Sequence, residues 1–156
     1  MIKKAQKNDL QILVELNNEV QDLHHKMEPG IFKPSRDARM SSLFENFLND
    51  KNFTILIYFS KNNEPLAYLI CEDKKKNETD FTYSYELLYI HQIAVLKEFQ
   101  NNKIGKKLLE KVFEIAKKRN IKRIELDVWN QNEKAIKIFE KIGFSTFNRK
   151  MSLNLK

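Results

Sequence analysis

Glycine, proline and cysteine are all scarce in this sequence. Its 156 residues hold 3 Gly, 3 Pro and 1 Cys. Ordinary usage of about 7% would place on the order of eleven Gly in a chain this long. So few Gly and Pro exclude a linker-like or collagenous chain. One Cys cannot close an internal disulfide, which excludes a stapled secreted scaffold. No apolar run approaches the ~18 residues of a membrane span. Residues 1–9 carry no apolar h-region, which predicts no secretory signal. The triplets Asn52-Phe53-Thr54 and Asn77-Glu78-Thr79 then match the glycosylation pattern by chance. The expectation is a soluble cytoplasmic protein with no membrane contact.

What is present points to one folded domain spanning 1–156. Hydrophobic residues make up 42% and aromatics number 17, enough for a sizeable core. The formal charge of +7 raises a nucleic-acid reading. Its distribution favours a local anion site instead. Between Lys97 and Arg123 lie ten basic residues and three acids, so this stretch alone nets +7 and the rest nets zero. A solvated lysine-rich helix face is the competing explanation. The bias to 23 Lys over 5 Arg, with 16 Asn, also fits plain genomic composition.

Periodicity places the elements. Residues 2–6 suit a short edge strand. Asn8 is a candidate N-cap for a helix over 10–27, which Pro29-Gly30 stops. Ser35 or Asp37 can cap a second helix running to about Asn49. Residues 53–59 and 65–71 read as strands joined by a turn at 61–64. The polar stretch 72–80 reads as a loop and 81–95 as a long strand. A helix over 103–120 follows. A strand over 122–128 turns Ile124, Leu126 and Val128 inward. A short helix over 133–142 precedes a final strand or strand pair over 144–155. This alternation predicts a single α/β domain.

The informative stretch runs from Ile90 to Leu109: a strand, a polar turn, then an amphipathic helix. At such a junction unpaired N–H groups and the helix dipole favour an anion. Gly105 in the first turn lets a phosphate approach the backbone. Lys103, Lys106 and Lys107 add charge there. The Walker spacing and the dinucleotide fingerprint are both absent. Further on, Asn132 can cap the next helix, Ala135 keeps its surface low, and Gly143 suits the left-handed position behind it.

These two stretches resemble the GNAT superfamily of N-acetyltransferases. Gln100-Asn101-Asn102-Lys103-Ile104-Gly105 is similar to the [R/Q]-x-x-G-x-[G/A] motif that grips the pyrophosphate of acetyl-CoA. Lys103 stands where the family usually has its first Gly. Asn132, Ala135, Lys141, Gly143 and Phe144 fall in place on N-x-x-A-x-x-[FL]-Y-x-[KR]-x-G-F. The resemblance implies a central mixed, mostly antiparallel sheet of six to seven strands flanked by four helices. It also implies acetyl-CoA as cosubstrate, an amine acceptor on a small molecule, peptide or protein, and no metal. The implied cofactor-binding residues are Ile93, Ala94, Val95, Gln100, Asn101, Asn102, Lys103, Ile104, Gly105, Lys106, Asn132, Ala135, Phe139 and Lys141. The first two helices and their connector usually wall the acceptor site, which assigns His24, His25, Glu28 and Phe32 to substrate.

The chemistry needs a base, an oxyanion donor and a route for the thiolate. His91 is the candidate base, with an ordinary pKa of about 6.5 suited to the task. A structural, half-buried His is the alternative. Tyr89, His91 and Ile93 share a face by strand alternation. Tyr89 joins His91 as a candidate catalytic residue or as a wall of the substrate channel. The family's acid, a Tyr on the last helix, is Phe139 here. His24 and Glu28 share a helix face, but the adjacent His25 points about 100° away, against a metal cluster. Cys71 reads as core and Trp129 as packing beside the cleft. A catalytically weak acyl-CoA-binding or regulatory member and a basic nucleic-acid-binding domain are the other readings. A monomer and a homodimer are equally compatible with the sequence.

Overall fold

The structure, a computed structural model, describes residues 1–35 and 39–155. One sheet holds five strands in the order β1 (Ile2–Lys4), β2 (Phe53–Phe59), β3 (Pro65–Lys76), β4 (Tyr85–Val95) and β5 (Ile124–Leu126). The first four pair antiparallel, and β5 runs parallel to β4. Helices α1 (Leu10–Met27) and α2 (Arg39–Asn49) pack on one face. Helices α3 (Ile104–Lys118) and α4 (Glu133–Ile142) pack on the other.

Strand alternation builds both cores from the same strands. β2 and β3 turn Ile55, Ile57, Tyr68 and Ile70 toward Leu13, Leu16 and Phe44 of α1 and α2. The residues between them, Leu56, Ala67, Leu69 and Cys71, meet Leu108, Leu109 and Val112 of α3. Central strands buried on both faces read as unbroken apolar runs, which is why 53–59 and 65–71 were legible as strands. One polar pair crosses the first core: Tyr68 donates its hydroxyl to Asn17 Oδ1 at 2.9 Å.

Several boundaries differ from expectation, each for a tertiary reason. β3 continues through the charged stretch to Lys76, which pairs with Tyr85. The 11-residue β4 supplies a full-length partner, and ladder hydrogen bonds outweigh side-chain polarity at a half-exposed sheet end. β4 begins at Tyr85, leaving Phe81 and Tyr83 exposed. Val128 lies beyond β5 and is exposed. The segment 144–155 forms no strand, so the sheet has five strands among the described residues where six to seven were expected. A 3-10 turn (Lys7–Asp9) opens α1, and Gln6 N–H donates to Asp9 Oδ2 at 2.8 Å, in place of an Asn8 cap. The predicted cap at Asp37 lies outside the described residues, as do the positions that a cap at Ser35 would serve, because α2 is described only from Arg39 onward.

Candidate active site

The site begins with an irregularity in β4. The ladder pairs Ile70 with Gln92 and Cys71 with Ile90, so His91 bulges out between them. A bulge resets the alternation. Tyr89 and His91 face the α1–α2 side, where His91 stacks on Phe53 and Phe47. Ile93 faces the α3 side, where its Cδ1 lies 3.7 Å from where a Gly105 Cβ would stand. The expected common face of Tyr89, His91 and Ile93 is thus corrected: the bulge sends Ile93 to the opposite side.

β4 and β5 then part. They pair only from Leu88↔Ile124 to Ile90↔Leu126. From His91 to Val95 the outer edge of β4 has no strand partner among the described residues. Leu96 N–H donates to Leu66 O at 3.0 Å. By the alternation of an antiparallel ladder, Gln92 and Ala94 turn their backbone groups to β3, and Ile93 and Val95 turn theirs to the open edge. Gln100 Nε2 already donates to Val95 O there, at 3.3 Å.

On the α1–α2 side the two candidate catalytic residues are neighbours, with ring centroids 4.8 Å apart. His91 Nε2 lies 2.6 Å from Glu72 Oε2. Tyr89 donates its hydroxyl to Asp127 Oδ2 at 2.7 Å, and Lys74 Nζ sits 4.1 Å from the centre of its ring. Burial first, then the hydrogen bond and charge of Asp127, with Glu125 and Glu72 adding, push the Tyr89 phenol above its ordinary range. A phenol shifted in that direction keeps its proton at neutral pH. Glu72 and Asp127 escaped sequence reasoning. The signal for Glu72 was available: a strand reaching 95 needs a partner longer than 65–71. Nothing local marks Asp127.

On the other side lies the turn before α3. Lys103 is its N-cap, at φ 59 and ψ 14, with no side-chain cap, and Asn101 also has φ 66. Both are left-handed conformations that cost an L-residue energy. The first helical bond runs from Lys107 N–H to Lys103 O at 3.1 Å, so Ile104, Gly105 and Lys106 present their N–H groups without i−4 partners. A Cβ at Gly105 would stand in ordinary van der Waals contact with Ile93 Cδ1, at 3.7 Å, and Val95 Cγ2, at 3.8 Å, so this turn packs directly beside the end of β4. Ile104 and Ala94 are buried in opposite cores, leaving only their backbones for a ligand.

α4 meets this turn at one end. Asn132 Oδ1 accepts from Ala135 N–H at 3.2 Å, as a cap, and Lys134 Nζ donates to Gln100 Oε1 at 2.8 Å. Lys141 sits seven residues further on, about 10 Å along the axis, and is not brought to the turn. Gly143, at φ 110, closes the helix, with Phe144 N–H donating back to Phe139 O at 3.0 Å. Phe139 packs edge-on against Phe144 and carries no exchangeable proton.

His24, His25, Glu28 and Phe32, the residues expected to meet substrate, lie together at the end of α1. His24 stacks on Phe32 at 4.8 Å and His25 Nδ1 lies 2.7 Å from Phe32 O. Phe32 meets Trp129 edge-on at 5.1 Å, and Gln131 Nε2 donates to Glu28 Oε1 at 2.8 Å. The end of α1 is thereby clasped to the loop between β5 and α4. Burial lowers the His24 pKa. No group of three metal-ligating side chains occurs among the described residues. Cys71 is buried, with its thiol pushed up to about 12, chiefly by burial. Part of the basic excess is paired, through Lys106–Glu110, Lys111–Glu114, Arg119–Asp73 and Arg123–Glu125. Lys103 has no ion-pair partner among the described residues.

The profile of the acetyltransferase (GNAT) family matches residues 14–144. Over 83 residues the chain is 31% identical to an N-acetyltransferase of Methanocaldococcus jannaschii named as uncharacterized, covering 53% of this chain and 35% of that protein. Over 61 residues it is 31% identical to N-alpha-acetyltransferase 30 of Schizosaccharomyces pombe, covering 39% of this chain and 41% of the relative. The match thus spans less than half the length of either relative. A tetramutant of the BH1408 protein from Bacillus halodurans superposes with a TM-score of 0.94 at 22% identity, over 99% of both chains. The aminoglycoside N-acetyltransferase AAC(6')-Iy in complex with CoA gives 0.75 at 15% identity, over 100% of this chain and 94% of the other. These structural likenesses establish the fold. With most of its length matched by one family profile, and that family's strand–turn–helix and capped last helix both in place, the chain belongs to the acetyltransferase (GNAT) family.

Proposed function

We propose that the protein moves the acetyl group of acetyl-CoA to a primary amine by direct attack in a ternary complex. The observation that carries this reading is the open edge of β4 beside a bulged His91, with the unpaired N-terminus of α3 next to it. The N–H groups of Ile104, Gly105 and Lys106, with the Lys103 and Lys106 charges, suit a diphosphate. Gln100, Asn101 and Asn102 frame that turn. The outward backbone groups of Ile93 and Val95, on either side of Ala94, line the path of the thioester arm, and Asn132, Ala135 and Phe139 flank it from α4. An aminoglycoside N-acetyltransferase of the same fold was solved in complex with CoA, which supports CoA as the ligand class.

The acceptor enters on the other side of the sheet, past His24, His25, Glu28 and Phe32. A lysine-type amine arrives protonated, with a pKa near ~10.4. Glu72, Glu125 and Asp127 around Tyr89 favour that cation. His91 takes the proton; its Nε2–H donates to Glu72, which leaves Nδ1 as the accepting nitrogen. The nitrogen lone pair attacks the acetyl carbonyl, and the Ile93 N–H at the open edge receives the oxyanion. The C–S bond breaks and the thiolate leaves without a proton from Phe139, while the second proton on the nitrogen passes to that thiolate or to water as the neutral amide forms. A thiol pKa of about 8.5, by analogy to Cys, makes that departure feasible.

Titration calorimetry with acetyl-CoA is expected to show binding at micromolar concentration or tighter. No binding refutes the reading. A panel of amines should then release free thiol. His91→Ala should lower that rate by on the order of a hundredfold or more at neutral pH with acetyl-CoA affinity unchanged. Phe139 favours a second reading, a CoA-binding protein with weak turnover. Binding without thiol release across the panel would decide for it.

A further inference from the structure

Glu72 serves two partners through one oxygen. Its Oε2 takes His91 Nε2 at 2.6 Å and Lys74 Nζ at 3.1 Å. The register explains the meeting. Glu72 stands opposite Tyr89 on the paired strands, and Lys74, two residues further along β3, rises on the same face. There the Lys74 ammonium also covers the Tyr89 ring, 4.1 Å from its centre, while that ring meets His91 edge-on. Lys74 is thus held from two directions. The side chains of Glu72, His91 and Lys74 are 21%, 29% and 31% exposed, so solvent screens their charges only in part.

Among the described residues little else charged faces His91. β2 and α2 present the Phe53 and Phe47 rings to it. Glu45 of α2 is two positions from Phe47 and so points to another side of that helix. Asp73 alternates to the opposite sheet face, where Arg119 holds it at 2.7 Å. Asp127 stands one ring away, on the Tyr89 hydroxyl, and Glu125 is paired with Arg123. The nearest charges to the imidazole are therefore those of Glu72 and Lys74, and their signs oppose.

We infer that Lys74 is a positioning residue for the base: it fixes Glu72 against His91 and offsets the carboxylate's charge, so the imidazole is oriented without facing a bare anion. The inference rests on the reading of His91 as the base. A carboxylate alone beside an imidazole favours the imidazolium, and a base that is already protonated takes nothing from the acceptor amine. An ammonium on the same oxygen opposes that bias and leaves in place the hydrogen bond that turns Nδ1 to the substrate.

Two titrations of the full chain test this. One is the pH profile of thiol release with saturating acetyl-CoA and limiting amine. The other is NMR titration of the His91 ring protons, which needs no turnover; His91→Ala identifies the resonance. Lys74→Met should move both midpoints to higher pH by roughly half to one pH unit, with acetyl-CoA affinity unchanged. Lys74→Arg should keep them in place. Glu72→Gln leaves the Lys74 cation facing His91, so it should move them to lower pH, and it should lower the plateau rate because the ring loses its orienting partner. Equal midpoints in Lys74→Met and the parent protein overturn the inference. So do shifts of one sign in Lys74→Met and Glu72→Gln, or a Lys74→Met variant that loses melting temperature while His91 titrates as before. If His91→Ala releases thiol at the parent rate, the reading of His91 as the base falls instead. An unmoved Lys74→Met profile in an enzyme that needs His91 sinks this inference alone.

Discussion

Replacing Lys103 by Gly separates two forces that meet in one residue. Lys103 holds the N-cap of α3 in the left-handed region, at φ 59, without a capping bond or an ion pair among the described residues. A Cβ in that conformation costs roughly 1–2 kcal/mol. Glycine removes the cost but adds roughly 0.5–1 kcal/mol of unfolded-chain entropy. The net expectation for Lys103→Gly is a gain of about 0.5–1 kcal/mol, or about 1–4 °C in melting temperature for a chain of this size. Lys103→Ala is the control. It removes the same positive charge from the helix N-terminus and keeps the Cβ, so it reports the charge effect without relief of the backbone. Urea unfolding of both variants measures the difference. Acetyl-CoA affinity should move the other way, falling several-fold in both and less at high salt, because both lose the cation facing the diphosphate. If Lys103→Gly is no more stable than Lys103→Ala, the reasoning about backbone strain fails. If affinity is unchanged in both, Lys103 does not serve the anion.

Four further outcomes follow from particular contacts. Gly143→Ala should cost about 1–2 kcal/mol by urea unfolding, because φ 110 strains any Cβ although nothing lies within 4 Å of it. Tyr68→Phe leaves the buried Asn17 Oδ1 without its donor and should cost about 1–3 kcal/mol by the same measurement. The fold depresses His24 and so favours its neutral form: the stability this gives is present above the ordinary value of 6.5 and is lost as pH falls below it. His24→Gln should flatten stability between about pH 7 and 5. Cys71, buried with its thiol pushed up to about 12, should resist a thiol-reactive dye in the native protein and react once unfolded in urea.

Local chemistry was readable from residues alone. A polar turn opening an amphipathic helix at Ile104, a capping Asn132 and a left-handed Gly143 all depend on neighbours within a few positions. Each appears where the sequence put it. The apolar runs of β2 and β3 were equally legible, because strands buried on both faces need no alternation. What sequence could not reveal depends on partners far along the chain. The bulge at His91 exists only in the register of β4 against β3, and it decides that His91 and Ile93 face opposite sides. Glu72 looked like loop because polarity was judged without the 11-residue strand that pairs it. The clasp of Glu28 to Gln131 spans 103 positions. The segment 144–155 has a strand's composition, yet composition does not supply a partner, and none pairs with it among the described residues. Sequence thus determined which pieces this protein has and that a polar, basic turn opens α3. Tertiary structure decided which pieces meet, because pairing register and long-range packing are properties of contacts rather than of residues.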